Sequence, residues 1–307
     1  MLLGVCNNGQ VALTKLAADR TKQTNSHMKL ATKILTVAIA SVALLGKPAI
    51  AGDVVVDKKK VVIEEESRKW WGAALSTGWD SLYMFRGVNV LPVNNYGSGI
   101  YWTDLSATWN ITDNDFLTAG TWVAFGTQKT NYKELDVYTS YTHTFGDFAL
   151  SFGYIFYYVW ASPLYSHELN VKGAYTFNLP AGITITPSLT YYFNIGPDTD
   201  DQGIAPQPSS YLLARIDAGI PLYKDIVSLA PWVSFGSNFR YNAKVDGDGN
   251  LDFFNGANDL QVGVGLPVKI NDVISLYGYG AYSYQWYGLV GTEPSTFWGG
   301  AKVTFSF

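Results

Sequence analysis

At 307 residues the chain is long enough for one large barrel or two soluble domains. Charged residues make up only 15% of it and aromatics another 15%, with 21 Tyr and 10 Trp, whereas soluble globular proteins carry about 25% charge. Mean hydropathy is +0.04, and past the first ~50 residues no apolar run approaches the ~20 needed to span a bilayer as a helix, so a helical membrane protein is excluded while an alternating barrel is not.

Met28 to Ala51 reads as a secretory signal. Lys29 and Lys33 give a positive start, Ile34 to Leu45 an apolar stretch, and Ala49-Ile50-Ala51 a small-x-small cleavage site. Residues 1–27 look nothing like a leader, so Met28 is the expected start, or the extension leaves with the leader. Residues 1–51 are therefore set apart from the fold. They hold the single cysteine, Cys6, six of the 21 basic residues and one of the 25 acids. The remainder has fifteen bases against twenty-four acids, a net −9. Without Cys6 the exported chain has no disulfide, thiolate metal site or Cys nucleophile. Its acidity argues against nucleic acid as a partner. Residues 52–69 carry Lys58-Lys59-Lys60 and Glu64-Glu65-Glu66; they read as a charged periplasmic tether, with a lumen plug as the alternative.

From Trp70 to Phe307, amphipathic strands alternate with connections that are strictly long, then short. The long ones are Asn89 to Ser98, Gln128 to Glu134, Ala161 to Ser166, Gly196 to Ser209, Arg240 to Ala257 and Trp286 to Ser295. The short ones are Thr112 to Asp115, Gly146-Asp147, Asn178 to Gly182, Tyr223 to Asp225 and Lys269 to Asp272. Bacterial barrels have short periplasmic turns and longer outer loops. The fold class is thus all-β: a transmembrane antiparallel up-and-down β-barrel of about 12 strands, with both ends periplasmic and outer-membrane lipid around it.

The first strand is read as Leu75 to Val88. Phe148 to Trp160 is apolar on both faces, and Phe148, Leu150, Phe152, Tyr154 and Phe156 are placed outward because Ala149, Ser151 and Gly153 are small. In Ile183 to Phe193 the odd positions face lipid and the even ones are mostly hydroxyls. Pro187 and Pro231 lack a ladder donor, which predicts a bulge or weak pairing beside them. Leu260, Val262, Val264 and Leu266 form another oily face; Val273 to Tyr284 is ambiguous in parity. The last strand has Phe297, Gly299, Ala301, Val303, Phe305 and Phe307 on one side and Lys302, Thr304 and Ser306 on the other.

With the oily face outside, the lumen receives Asp80, Arg86, Asp104, Asp136, Glu168, Lys172, Arg215, Asp217, Asp259 and Lys302. Such charges must be paired or wet. Asp80 with Arg86, and Arg215 with Asp217, are the expected ion pairs. Pore lining and bracing of the barrel weigh equally as roles. Trp102, Trp122, Tyr138, Tyr192 and Trp232 also point inward. About eight strands leave a filled interior and 16–18 an aqueous channel, so twelve predict a narrow pore or a closed barrel. Six acids against four bases in that set predict a weak cation preference.

No metal, other cofactor or catalytic group is expected. Asp246-Gly247-Asp248-Gly249-Asn250-Leu251-Asp252 has oxygens at alternate positions, but Leu251 and Ala257 stand where an EF-hand needs Gly and Glu. It reads as a polar hairpin tip, as do Asp198, Asp200 and Asp201. A lipid hydrolase would need a Ser/His pair on the outer rim, for which only Ser166 and His167 offer themselves.

The terminal Val303-Thr304-Phe305-Ser306-Phe307 resembles the signal that the barrel-assembly machinery reads, which makes Phe305 and Phe307 the assembly residues. Asp80-Ser81-Leu82-Tyr83-Met84-Phe85-Arg86-Gly87 resembles the opening Ser-Asp-Tyr-x-Phe-Arg-Gly strand of the TorF-type porin family, with extra spacing before Tyr83. That resemblance implies a channel without catalytic residues and carries over onto Phe85, Arg86 and Gly87. The expected function is a narrow passive channel for small hydrophilic solutes in the bacterial outer membrane. The alternatives are a closed structural or adhesive barrel that binds partners through outer loops and, remotely, an outer-membrane lipid hydrolase.

Overall fold

The computed structural model describes residues 70–91, 99–127, 131–160, 164–196, 208–245, 251–286 and 295–307. The leader and tether expected in 1–69, the acids Asp198, Asp200 and Asp201, and residues 246–250 of the expected hairpin tip lie outside the described residues. Twelve long strands make the wall: β1 (Trp71–Asp80), β2 (Ile100–Asn110), β3 (Asp115–Gly126), β4 (Lys133–Phe145), β5 (Phe148–Val159), β6 (Leu164–Tyr175), β7 (Thr184–Asn194), β8 (Ser209–Tyr223), β9 (Val227–Val245), β10 (Leu251–Lys269), β11 (Ile274–Gln285) and β12 (Ser295–Ser306). Each is hydrogen-bonded antiparallel to the next, and β12 returns to β1 from Ala74↔Ser306 to Asp80↔Gly300. The sheet is therefore a closed barrel without an edge, which a bilayer requires because nothing in hydrocarbon can satisfy a free ladder.

Alternation sorts the side chains as period 2 dictates. Leu189, Tyr191, Phe193, Val262, Val264 and Leu266 are exposed outside, while Thr186, Thr190, Ser234 and Asp259 are buried inside. On β5, Phe152 is exposed outward. The ambiguous β11 resolves with Leu276 outward and Tyr279 and Ser283 inward, where they bond Asp80 and Trp298. Two aromatic girdles mark the lipid boundaries. Trp70, Trp71, Phe145, Tyr223 and Phe307 ring the short-turn end; Trp79, Tyr101, Phe125, Trp160, Tyr165 and Phe297 ring the long-loop end. Phe305 pairs with Leu75 and Ile274 at the seam, and Phe307 is exposed. This is a bacterial outer-membrane barrel.

Both prolines weaken pairing without a bulge. β7 pairs with β6 as far as Ser188↔Ala174 and then, from Ile185↔Phe177, with the short strand Phe177–Asn178, which leaves Pro187 without a partner on that side, and β8–β9 skips Pro231 between Asp217↔Trp232 and Ile220↔Leu229, with register kept in each.

Two expectations are corrected. The first strand does not run to Val88: β1 ends at Asp80 and the chain turns into the lumen. Nor is Arg240 to Ala257 a loop, because β9 and β10 are 19 residues each and extend through most of it. The other long connections are trimmed as well, with Lys133 and Leu164 already in strands.

Candidate functional site

The site is where the wall meets an inward-folded segment, Ser81–Leu91. Ser81 holds the exit: its N–H donates to Gly299 O (2.8 Å), and Gly299 N–H donates to Ser81 Oγ (3.0 Å). The segment then closes on itself. Met84–Phe85 pair with Val88–Asn89, and Val90 N–H donates to Tyr83 O (2.9 Å). The corner residues are Arg86 (φ 48°) and Gly87 (φ 78°). Two consecutive positive φ values are the demand of a type I′ hairpin. Gly meets it freely, whereas Arg at positive φ costs about 1–2 kcal/mol. Beyond the corner, Leu91 is buried with Ile100 and Ala124, against Tyr83, Trp102, Trp122 and Tyr132.

The strained arginine is the hub of the interior. Its guanidinium makes a two-pronged pair with Glu168, with Nη2 2.6 Å from Oε1 and Nη1 on Oε2. Arg86 is 8% exposed and Glu168 1%. The guanidinium carbon lies 3.9 Å from the ring centre of Tyr192, 4.6 Å from those of Phe85 and Tyr241, and 5.7 Å from that of Tyr211. All four are within cation–π range. Tyr157 and Tyr241 hydroxyls donate to Glu168 at 3.2 and 3.0 Å. Nearby, Tyr83 and Tyr132 donate to Glu134 at 2.8 and 2.6 Å.

Irregular pairing in β9 and β10 aims the remaining partners inward. Register slips between Phe239 and Ala243 on β9, and between Gly236↔Asp259 and Ser237↔Ala257, which leaves Asn258 unpaired in the ladder. Bulges re-aim side chains in this way. Asn238 Oδ1 caps the β9 irregularity by accepting Tyr241 and Asn242 N–H at 3.1 and 2.7 Å. Asn242 and Asn258 Nδ2 then donate to Arg86 O at 3.1 and 2.9 Å, and Gln285 Nε2 donates to Gly87 O. Asp259 accepts from Tyr211 (2.5 Å), Asn258 (2.8 Å) and Gln261 (2.7 Å). The layer is dry: Tyr211, Asn238, Asn258, Asp259 and Gln285 are all buried.

Of the residues predicted to face the lumen, Arg86, Glu168 and Asp259 meet in this layer. Asp136 stands beside it, paired in register with Tyr157, and its Oδ1 is buried without a partner among the described residues. The expected Asp80–Arg86 pair does not form, because the chain leaves the wall after Asp80 and carries Arg86 across to Glu168. Asp80 instead accepts from Trp102 Nε1 (2.8 Å) and Tyr279 (2.5 Å). Asp104 accepts from Tyr138 (2.8 Å). The Arg215–Asp217 pair forms at 2.6 Å and is half-exposed, with Arg215 4.3 Å from the Trp232 ring centre. Lys302 Nζ sits 5.5 Å from the Tyr277 ring centre. Lys172 is exposed on the Glu168 side of β6. Thus the short-turn half of the lumen carries solvated or half-solvated charges, Lys172, Arg215 and Asp217, whereas the layer at the long-loop half is buried.

Ser166 and His167 fall on opposite faces of β6. Ser166 Oγ donates inward to Asn194 (3.0 Å), and His167 Nδ1 lies 2.7 Å from the outward Tyr154 hydroxyl. They form no nucleophile–base pair.

The seat of the hairpin is tight. A Cβ on Gly87 would stand 2.6–2.7 Å from the Asp259 side chain. Gly87→Ala is expected to cost about 1–2 kcal/mol in backbone strain, plus the contact. Gly146, at φ 65° with nothing within 4 Å of its would-be Cβ, is the control. Thermal unfolding in detergent should show a larger drop for Gly87→Ala than for Gly146→Ala.

Among solved structures, an outer-membrane channel from Pseudomonas putida F1 matches with a TM-score of 0.54 at 12% identity, over 77% of this chain and 95% of its own. The NanC porin matches with a TM-score of 0.49 at 11% identity, over 76% and 98%. The KdgM porin, solved with disordered oligogalacturonate, gives 0.44 at 11%, over 77% and 99%. At 12% identity the likeness to the Pseudomonas putida channel is one of fold. No family model matches the chain, and no curated protein matches it.

Proposed function

We propose that this barrel is a narrow outer-membrane channel for small hydrophilic solutes, of the TorF-type porin kind, whose passage is set by the Ser81–Leu91 hairpin. The observation that carries this reading is the split lumen. Its short-turn half is charged and exposed, with Lys172, Arg215 and Asp217 along the wall, and a structural brace has no need of solvated charge. Its long-loop half is filled at one level by one inserted segment. With Arg86–Glu168 and Arg215–Asp217 paired off, the acids Asp80, Asp104, Asp136 and Asp259 face the bases Lys172 and Lys302. That surplus favours cations, since lumen charge sets selectivity.

The closed, adhesive barrel is the second reading. Its supporting observation is the dry layer itself, together with β9 and β10, which outreach every other strand. Planar-bilayer recording separates the two. Replacing Leu82–Asn89 by a short Gly-Ser linker should raise unit conductance several-fold over the parent, with cations preferred. A linker variant that folds yet passes no current would leave the adhesive reading standing.

A further inference from the structure

Arg86 is held as a ligand is held. The groups around its guanidinium, Phe85 apart, belong to the wall and not to the hairpin: Glu168 from β6, Tyr157 from β5, Tyr192 from β7, Tyr211 from β8 and Tyr241 from β9. They supply what a planar cation needs, namely a carboxylate matched to two parallel N–H donors and ring faces above and beside the plane. A buried ion pair is poor value for stability against an apolar filling of equal volume, and this one sits at a strained corner. Bracing alone therefore explains it badly.

The charge of the layer adds a second, separate observation. Glu134 and Asp136 on β4 and Glu168 on β6 flank β5, linked across it by the Asp136↔Tyr157 register and the Tyr157–Glu168 bond. Only Arg86 opposes them among the described residues. Asp136 Oδ1 is buried with no partner there.

We infer that the wall cage of Glu168, Tyr157, Tyr192, Tyr211 and Tyr241 is a recognition site for guanidinium-bearing solutes, and that Arg86 is its resident intramolecular occupant. A free guanidinium would take the same pose, with two N–H groups on Glu168 and its plane against Tyr192, once the hairpin withdraws. That such a solute arrives from outside rests on the channel reading; the chemistry of the cage does not.

The test reads binding without requiring conduction. Arg86→Ala and Arg86→Ala/Glu168→Gln proteins are refolded from urea into detergent micelles and melted in rising millimolar methylguanidinium, with sodium chloride as the ionic-strength control. Saturable stabilisation of Arg86→Ala is expected, absent from the parent, whose cage is filled, and from the double variant, whose carboxylate is gone. No stabilisation of Arg86→Ala, or equal stabilisation of all three proteins, would overturn the proposal. Should Arg86→Ala fail to fold alone, refolding in methylguanidinium decides. Recovery of the heat-modifiable folded band supports the cage, and no recovery overturns it. A cage that binds methylguanidinium in a barrel that passes no current would leave the site standing and remove the channel.

Discussion

Glu168→Ala should unseat the hairpin. The change strands the Arg86 guanidinium in a dry layer and removes the acceptor of the Tyr157 and Tyr241 hydroxyls. Breaking one half of a buried pair costs about 3–5 kcal/mol, because the remaining charge is uncompensated. The barrel wall has its own closed ladder, so the cost falls on the inserted segment, which can leave the lumen and hydrate Arg86. Two readouts follow: higher unit conductance, and protease or hydrogen-exchange sensitivity confined to residues 81–91. Arg86→Ala in the same background should soften the effect, since it removes the orphaned charge. The double-variant loss should therefore be smaller than the sum of the single losses, as expected for residues in direct contact. Equal and additive losses would mean that the pair is not coupled as the geometry requires.

Leu189→Arg should be the most damaging single change on the outer wall. Leu189 sits mid-way along β7 and is 51% exposed outside. In a bilayer that exposure is to hydrocarbon, and arginine near the midplane costs about 2–4 kcal/mol. Thr190, next in sequence, is buried on the inner side and shares a register row with Lys172 and Leu213. Thr190→Lys should therefore cost less than Leu189→Arg when both are refolded into bilayers and unfolded by urea. In a soluble protein with an exposed Leu189 the order would reverse.

The wall was legible because period 2 is a local rule. Leu189 and Thr190, or Val264 and Gly263, declare their faces from the residues beside them. Strand number followed from the alternation of turn lengths, and β12 from its run of Phe297 to Phe307. The plug was not legible, for a physical reason. Tyr83 and Phe85 extend the outward parity of Trp79 past Asp80, so the sequence reads as a continuing strand, and an Arg-Gly corner lacks the Asn-Gly or Asp-Gly signature of a type I′ turn. The resemblance to TorF-type porins singled out Phe85, Arg86 and Gly87, but a sequence likeness carries no information about where the chain bends. The Arg86–Glu168 pair joins positions 82 residues apart, which no short-range pattern encodes.

Asn242, Asn258 and Gln285 escaped notice for a different reason. Asn242 falls in a stretch read as a loop, and Asn258 and Gln285 stand at loop edges, where neutral amides look like polar trim. Asn242 and Asn258 acquire a role only because irregular pairing in β9 and β10 turns them toward the Arg86 carbonyl, and Gln285, in regular register with Asp259, reaches the Gly87 carbonyl only because the hairpin folds inward. The cluster Asn238, Tyr241 and Asn242 around Arg240, a non-glycine residue at φ 59°, was the available hint. Such runs of Asn suit places where a strand leaves its ladder.

Greasy side chains of one closed cylinder meet lipid while its polar ones meet an enclosed interior. Impermeant thiol labelling in liposomes tests it most directly, with Cys6→Ser as the background and cysteine placed in turn at Lys172 and Leu189. The Lys172→Cys protein should react with the aqueous reagent and the Leu189→Cys protein should not until detergent strips the bilayer away. Rapid labelling at 189 with protection at 172 would mean that the two faces of the wall are reversed.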